Sequence, residues 1–204
     1  MRAPAKLAAA SSAGIAAAAL WWRTHPSACP YGQRFWVQAP HPFITRARLR
    51  EILAPAPGDR LLEVGPGTGY YTLPVAQWLG PDGQLEICDL QQEMLDHTMR
   101  AARRRGLSNV TATQGDARTL PYTDASFDGA YLITVLGEIP DQRRALTELR
   151  RVLKPGGRLV VGEVLGDPHF VSARALQQQA EHAGLRLERR SGPPFGYFAK
   201  LTQT

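Results

Sequence analysis

The chain is poor in the two residue types that most often build metal sites and disulfide frameworks. Among its 204 residues are two cysteines, Cys29 and Cys88, and five histidines. Two cysteines this far apart form neither a disulfide framework nor a four-cysteine zinc site, and they suit a reducing compartment such as the cytoplasm. No two histidines lie three or four residues apart, so the HExxH motif is missing and we predict no metal site.

Glycine and proline are also too scarce to define an unusual class of protein. The 19 glycines and 16 prolines fall well below the fraction typical of collagen or of low-complexity chains. No internal repeat is evident, which argues against a repeat array. The apolar fraction of 44% is enough to bury the core of one globular domain.

The net charge of +6 is confined to the start of the chain. Residues 1–60 hold eight basic and two acidic side chains, whereas residues 61–204 hold 16 of each. A basic surface spread over the whole domain, as nucleic-acid binding would favour, is therefore not expected. The charge predicts a local basic patch instead.

An uncharged stretch, residues 7–22, lies near the N-terminus. As a helix it would be about 24 Å long, short of the ~30 Å hydrocarbon core of a bilayer, so we do not expect it to span a membrane. A cleaved signal peptide stays open, although no clear Ala-x-Ala site follows. Contact with an anionic membrane surface through residues 1–50 also stays open, because Trp21, Trp22 and the nearby arginines suit a bilayer interface.

A proline-rich connector, residues 24–42, follows this stretch. Its four prolines favour an extended chain. Aromatic side chains in the connector and just after it could cover a pocket as easily as a membrane; they are Tyr31, Phe35, Trp36 and Phe43. The third interpretation of the N-terminus is therefore a helix that leads into a lid. We place a boundary between this region, residues 1–42, and a globular domain, residues 43–204.

From residue 43 onward, apolar runs of strand length alternate with stretches of helical periodicity. The predicted helices are 43–53, 70–79, 91–105, 141–153 and 172–183. In the first of them, the apolar stripe that would face inward consists of Phe43, Ile44, Ala47, Ile52 and Leu53. The predicted strands are 60–64, 84–88, 109–113, 127–135, 158–164, 185–189 and 196–201. This alternation predicts an α/β fold with a doubly wound sheet. In such a sheet, ligands bind at the carboxyl ends of the strands, so the residues just after each strand are the candidate site.

A glycine-rich loop follows the first predicted strand. Gly65, Gly67 and Gly69 form a GxGxG pattern, whereas the dinucleotide fingerprint requires its third glycine at position 70. Tyr70 stands there, and its bulk disfavours NAD or FAD. No Gly-Lys-Ser/Thr follows, so the P-loop pattern also fails. The open backbone still admits a compact ligand with a carboxylate near the helix N-terminus.

Polar residues also follow the next three predicted strands. Asp89 comes 20 residues after Gly69, where a carboxylate can accept hydrogen bonds from both ribose hydroxyls. Asp116 follows the third strand and can accept from an exocyclic amine, and residues 134–138 follow the fourth. Either carboxylate alone could be a helix cap or a turn residue. Their succession at neighbouring strand ends favours a binding site.

Five stretches together resemble the class I S-adenosylmethionine-dependent methyltransferases, and they are similar to the ubiquinone/menaquinone-biosynthesis C-methyltransferases. The stretches are LLEVGPGTGYYT (61–72), ICDLQQEML (87–95), GDARTLPYTDASFD (115–128), AYLITVLGEIPD (130–141) and LRRVLKPGGRLVVGE (149–163). The resemblance covers about residues 43–201. It implies a Rossmann-like sheet of seven strands with the last one antiparallel, helices on both faces, and S-adenosyl-L-methionine as the cofactor.

The resemblance also implies roles for individual residues. Glu63, Gly65 and Gly67 would line the methionine end with Gly69 in the same loop, Asp89 would hold the ribose, Leu90, Asp116 and Ala117 would contact the adenine, and Thr134 would lie near the sulfonium. The Asn/Asp-Pro-Pro-Tyr/Phe motif of enzymes that methylate nucleobases or glutamine amides is missing, because residues 132–136 read LITVL. A small-molecule acceptor is therefore expected, and nucleic acid is not.

Methyl transfer from a sulfonium requires alignment and exclusion of water more than a dedicated base. If the acceptor carries a proton, Glu138, His169 or Tyr197 are the candidate catalytic residues, and Tyr70 is a further candidate or a lid. We therefore expect a methyltransferase that acts on a small, apolar or lipid-like acceptor. Two alternatives stay open: a protein that binds S-adenosylmethionine without transferring its methyl group, and a dinucleotide oxidoreductase, which Tyr70 disfavours.

Overall fold

The computed structural model describes residues 26–33 and 42–204. These residues form five α-helices and seven β-strands, numbered in chain order. The helices are α1 (Arg46–Leu53), α2 (Thr72–Leu79), α3 (Gln92–Arg104), α4 (Gln142–Val152) and α5 (Ala173–His182). The strands are β1 (Arg60–Val64), β2 (Gln84–Asp89), β3 (Val110–Gln114), β4 (Phe127–Ile133), β5 (Leu153–Val164), β6 (Leu185–Ser191) and β7 (Gly196–Gln203). Two short 3-10 turns cover Tyr31–Gln33 and Leu136–Glu138.

Several features of the N-terminal region lie outside the described residues. These are the uncharged stretch 7–22 and the aromatic residues Phe35 and Trp36. The signal peptide and the membrane contact therefore stay predictions. In the part of the chain that the structure describes, no helix combines the length and the apolar character that crossing a membrane requires.

The sheet has the strand order β3-β2-β1-β4-β5-β7-β6. β1 pairs in parallel with β2 on one side and with β4 on the other, so the strand order reverses at β1. β7 runs antiparallel to both of its neighbours, β5 and β6. The prediction of a doubly wound, seven-stranded sheet with an antiparallel last strand is confirmed. The reversal at β1 opens a crevice at the carboxyl ends of the central strands, where ligands of such sheets bind.

Helices pack on both faces of the sheet, as predicted. Neighbouring residues of a strand point to opposite faces, and Leu61 and Leu62 of β1, both fully buried, accordingly belong to two different hydrophobic clusters. The cluster around Leu61 includes apolar residues of α1, α2 and α3. The cluster around Leu62 includes those of α4 and α5. The sheet is therefore covered on both sides, and the strand ends are where a ligand can enter.

The observed element boundaries differ from the predicted ones at several ends. α1 begins at Arg46 rather than residue 43, because the Thr45 hydroxyl accepts the Arg48 N–H at 3.3 Å and caps the helix there. This capping places Leu49 in the core and leaves Ala47 exposed, so the predicted inward position of Ala47 is wrong. β4 ends at Ile133 rather than at residue 135. Residues 134 and 135 therefore belong to the loop at the crevice.

Candidate active site

A cavity of about 630 Å³ opens at the carboxyl edge of the sheet. Its volume is typical of sites for small molecules and cofactors. Seven of the nine residues predicted to bind the cofactor line it, namely Gly65, Gly67, Asp89, Leu90, Asp116, Ala117 and Thr134. They come from the ends of β1, β2, β3 and β4, which the parallel sheet brings to one edge.

The glycine loop lets the backbone approach the cavity closely. Gly65 has φ +69° and Gly67 has φ +55°, a backbone conformation that residues other than glycine rarely adopt. A Cβ atom on Gly65 would lie 2.4 Å from Cγ2 of Val135. The Gly65 N–H donates to the carbonyl of Cys88 at 2.8 Å, which fixes the loop against β2. The loop therefore needs glycine at position 65 for both conformation and space.

Glu63 and Gly69 support this loop from behind and are not among the residues that line the cavity. The buried Glu63 carboxyl accepts a hydrogen bond of 2.5 Å from the Thr72 hydroxyl at the start of α2. Burial raises the pKa of Glu63 to about 7. The Gly69 N–H donates to the carbonyl of Pro66 at 2.9 Å and closes the turn. Both residues hold α2 and the loop in place.

Asp89 and Leu90 offer a carboxylate and an apolar surface at the end of β2. The Gln91 N–H donates to Oδ1 of Asp89 at 2.9 Å and fixes the orientation of the carboxyl group. Desolvation by burial raises the pKa of Asp89 to about 6, so the group is mostly ionised at neutral pH. Leu90 is 53% exposed, which is unusual for leucine and leaves its side chain available to a flat ring.

Asp116 is paired with a residue that the sequence reasoning missed. The Arg118 guanidinium donates to the Asp116 carboxylate, with Nη2 at 2.6 Å from Oδ2, and the Arg118 N–H donates to Oδ1 at 2.8 Å. These hydrogen bonds lower the pKa of Asp116 below its usual value. Arg118 stands two positions after Asp116, and that spacing was the only signal in the sequence. An adenine amine would therefore compete with Arg118 for the Asp116 carboxylate or share that carboxylate with it.

Thr134 is held in a strained conformation beside the glycine loop. Its φ is +56°, which is unfavourable for a β-branched residue. Its N–H donates to the carbonyl of Gly162 in β5 at 2.8 Å, and its hydroxyl donates to the carbonyl of Ile133 at 2.7 Å. Strain of this kind persists where the surrounding structure fixes it, often at functional sites.

Glu138, Asp167 and His169 also line the cavity. Burial and the nearby Asp167 carboxylate raise the pKa of Glu138 to about 8. The His169 N–H donates to Oδ1 of Asp167 at 2.7 Å. The turn that carries Glu138 touches this segment directly, because a Cβ on Gly137 would lie 1.8 Å from the His169 carbonyl oxygen. Two of the three predicted catalytic residues thus line the same cavity, and Asp167 lies beside them.

Tyr197 and Tyr70 lie elsewhere. Tyr197 is completely buried in β7, and its hydroxyl donates to the carbonyl of Val171 at 2.8 Å, so the structure does not bring this predicted catalytic residue to the cavity. The reason is that both faces of β7 are covered at this point, with Tyr197 in the cluster around Leu62 and Phe198 in the cluster around Leu61. Tyr70 packs against the guanidinium of Arg46, whose Cζ lies 4.0 Å from the centroid of the Tyr70 ring. Neither tyrosine is among the residues that line the cavity.

Part of the N-terminal connector forms one wall of the cavity. We call residues 26–33 the strap, and its residues Ser27, Ala28 and Cys29 line the cavity. The Cys29 N–H donates to Oε2 of Glu138 at 3.3 Å. Three interpretations of the N-terminus were left open, and these contacts support the one in which it covers a pocket.

A mostly parallel sheet that ends in one antiparallel strand, with a glycine loop after β1 and an acidic residue at the end of β2, defines the class I S-adenosylmethionine-dependent methyltransferase fold. A solved S-adenosylmethionine-dependent methyltransferase from Aquifex aeolicus shares the fold, with a TM-score of 0.78 and 20% identity over 87% of this chain and 100% of that one. Residues 61–157 match the family described as a methyltransferase domain. The resemblance to the class I S-adenosylmethionine-dependent methyltransferases identified from the sequence is therefore confirmed.

Two further relatives lie closer in sequence. The ubiquinone/menaquinone biosynthesis C-methyltransferase of Teredinibacter turnerae is 39% identical over 114 residues, which are 55% of this chain and 46% of that protein. The solved structure of the 4+2 cyclase SpnF has a TM-score of 0.65 and 31% identity, over 72% of this chain and 57% of that one. The chain spans about half the length of the curated relatives it matches.

S-adenosyl-L-methionine is the cofactor of this class, and the residues present suit it. Gly65 and Gly67 line the cavity without side chains, so a ligand can approach their backbone closely. Asp89 presents an oriented carboxylate of the kind that ribose hydroxyls bind, and the exposed Leu90 follows it directly. We therefore propose that Gly65, Gly67, Asp89 and Leu90 hold the cofactor.

Replacing Asp89 by alanine is expected to weaken the binding of S-adenosylhomocysteine at least tenfold, about 1.4 kcal/mol. The reason is the loss of the oriented acceptor for the ribose hydroxyls. Isothermal titration calorimetry measures the effect, with Asp82→Ala as the control because Asp82 is exposed in the turn before β2. Wild-type affinity in the Asp89 variant would show that the ribose is bound elsewhere.

Proposed function

We propose that the protein transfers the methyl group of S-adenosylmethionine to a small, apolar or lipid-like acceptor. The observation that carries this proposal is the continuity of the cavity, which runs from the glycine loop and Asp89 to Glu138 and His169. The second end leaves room for an acceptor, and its walls include the apolar side chains of Ile139 and Val164. The similarity to a ubiquinone/menaquinone biosynthesis C-methyltransferase supports an acceptor of this size and polarity.

The cofactor supplies a methyl group that its sulfonium already activates. The residues of the chain then align the reactants and keep water out. Gly65 and Gly67 admit the cofactor beside β1, Asp89 fixes its position, and the strap and residues 166–169 cover the acceptor end. An acceptor that carries a proton needs a group that removes it, and Glu138 is the carboxyl group at that end of the cavity with a pKa near neutrality.

Glu138→Gln is expected to lower kcat/KM at least tenfold for a proton-bearing acceptor, because it removes this base. A base with a pKa of about 8 is protonated at lower pH, so wild-type kcat/KM should rise about tenfold per pH unit from pH 6 and level off above pH 8. The glutamine variant should lack this rise. Initial rates between pH 6 and 9 measure both effects, and the matched control is Glu181→Gln, because Glu181 is exposed on α5 and is not among the residues that line the cavity. An unchanged pH profile in Glu138→Gln would assign the proton to another group.

The acceptor is identified by screening for release of S-adenosylhomocysteine. We propose hydroquinones, phenols and amino-headgroup lipids as the panel, because they are small or lipid-like and carry a nucleophilic atom. Turnover with one of these classes supports the proposal. Binding of S-adenosylmethionine without turnover on any of them would favour the second candidate function.

That second candidate is a protein that binds S-adenosylmethionine without transferring its methyl group. One observation favours it: the relative of known structure with 31% identity is described as a cyclase rather than a methyltransferase. The same fold therefore occurs in a protein named for another reaction. Retention of the labelled methyl group on the cofactor, while another substrate is converted, would support this candidate.

We also propose that the basic N-terminal region contacts an anionic membrane surface on the cytoplasmic side, where two free thiols are stable. The arginines of α1 give little support, since Arg46 packs on Tyr70 and Arg48 donates to the Phe43 carbonyl. The contact therefore rests on residues before α1. The test is flotation of the full chain with anionic vesicles, compared with a variant in which Arg2, Lys6 and Arg23 are replaced by serine. Equal flotation of the two proteins would contradict this proposal.

A further inference from the structure

Gln91 connects the cofactor half of the cavity to the strap. Its side-chain Nε2 donates to the carbonyl of Cys29 at 2.9 Å, and its Oε1 accepts the Tyr31 N–H at 3.1 Å. Its own N–H donates to Oδ1 of Asp89 at 2.9 Å. One residue therefore binds the strap backbone through its side chain and the predicted ribose carboxylate through its main chain.

The strap has further polar contacts on both sides of this clamp. The Cys29 N–H donates to Glu138 at 3.3 Å, and the Tyr31 hydroxyl lies 3.3 Å from Nδ1 of His97 on α3. These contacts hold Ser27, Ala28 and Cys29 against the cavity as part of its wall. A ligand inside the cavity consequently touches the strap only while the strap is docked.

We propose that Gln91 is a positioning residue that couples occupancy of the cofactor half to docking of the strap. This inference rests on the proposed function for the identity of the ligand. A ligand that gains contacts only in the docked state shifts the equilibrium toward that state. Linkage then requires the reverse, so that a docked strap strengthens ligand binding. Gln91 carries the coupling because it is hydrogen-bonded to the strap and to Asp89 at once.

The two cysteines make docking measurable in the full chain. Cys29 lies in the strap and is half-buried, whereas Cys88 is completely buried in β2. Alkylation of Cys29 by iodoacetamide, followed peptide by peptide with mass spectrometry, therefore reports the opening of the strap. Cys88 is the internal reference in the same sample, since it has no exposed surface although it borders the cavity.

Gln91→Ala is expected to raise the alkylation rate of Cys29 at least fivefold without ligand, while Cys88 stays protected. Saturating S-adenosylhomocysteine should slow Cys29 alkylation at least fivefold in the wild type and less than twofold in Gln91→Ala. The matched control is Gln92→Ala, because Gln92 is the exposed next residue and its side chain bonds to Asp96 instead of the strap. This control should behave as the wild type.

Calorimetry with S-adenosylhomocysteine separates the two proposals. If the wild type does not bind this ligand, the proposed function fails, and the ligand-free comparison of Gln91→Ala with the wild type still decides whether Gln91 holds the strap. If the ligand binds but protects Cys29 equally in the wild type and Gln91→Ala, the coupling is overturned and the proposed function stands. Equal ligand-free rates in the two proteins also overturn the inference. If Cys88 becomes reactive in Gln91→Ala, the same series is repeated with Gln91→Glu. This variant keeps the acceptor for the Tyr31 N–H and loses the donor to the Cys29 carbonyl.

Discussion

Gly65→Ala is expected to weaken the binding of S-adenosylhomocysteine at least 100-fold, about 2.7 kcal/mol. The added Cβ would lie 2.4 Å from Cγ2 and 3.0 Å from Cγ1 of Val135, so the loop and the segment after β4 must move apart. The backbone adds a second cost, because alanine at a φ of +69° is strained. Both effects act on the part of the loop that lines the cavity. Calorimetry measures the affinity.

Gly58→Ala is the matched control for this substitution. Gly58 has φ +84°, so alanine carries a similar conformational cost, but a Cβ there meets nothing within 4 Å. We expect a loss of about 1 kcal/mol in the free energy of unfolding and ligand affinity within twofold of the wild type. If Gly65→Ala also binds like the wild type, the glycine loop is not the cofactor cradle.

Gly137→Ala is expected to lower kcat/KM at least 100-fold while S-adenosylhomocysteine affinity falls less than fivefold. The added Cβ would lie 1.8 Å from the carbonyl oxygen of His169 and 2.7 Å from its carbonyl carbon. Backbone atoms cannot turn aside as a flexible side chain can, so the turn Leu136–Glu138 and residues 166–169 must separate. Overpacking of this kind costs about 1–3 kcal/mol of stability. The separation opens the acceptor end, whereas the glycine loop and Asp89 of the cofactor end belong to other segments.

Gly166→Ala is the control for Gly137→Ala. It tests whether the effect comes from the position of the added Cβ or from the loss of a glycine in general. Gly166 belongs to the same wall of the cavity, but a Cβ on it meets nothing within 4 Å. We expect kcat/KM within threefold of the wild type and an unchanged melting temperature. Steady-state rates and thermal unfolding of both variants provide the comparison. Wild-type turnover by Gly137→Ala would show that these two segments do not form the acceptor site.

The order and type of the elements could be predicted because both depend on local patterns. Buried strands appear as short apolar runs, helices as a 3.6-residue period, and turns as glycine and proline clusters. The early start of β5 at Leu153 could not be predicted, since it depends on the pairing of Leu153 with Phe127 and on a register shift beside it. Ala47 was placed wrongly because the cap at Thr45 sets the rotation of α1.

The cofactor half of the site was more predictable than the acceptor half. Parallel strands bring their carboxyl ends to one edge, so position in the sequence was enough to place Asp89 and Asp116 beside the cavity. The acceptor half depends on contacts between distant segments, such as the 109-residue separation of Cys29 and Glu138. Gln91 lies in the stretch 87–95, which carries no local signal for its contacts with the strap. The direction of Tyr197 depends on the register of β7, which pairs it with Glu163.

If Asp116 holds the adenine amine, as the resemblance implies, its ion pair with Arg118 affects how the crevice would tell one nucleobase from another. The carboxylate is already satisfied by an arginine that is partly exposed and can swing into water. An incoming exocyclic amine consequently exchanges with an existing donor rather than filling a vacant acceptor. A deaminated purine would leave the arginine where it is, so rejection of such a base is weaker here than it would be against a bare carboxylate.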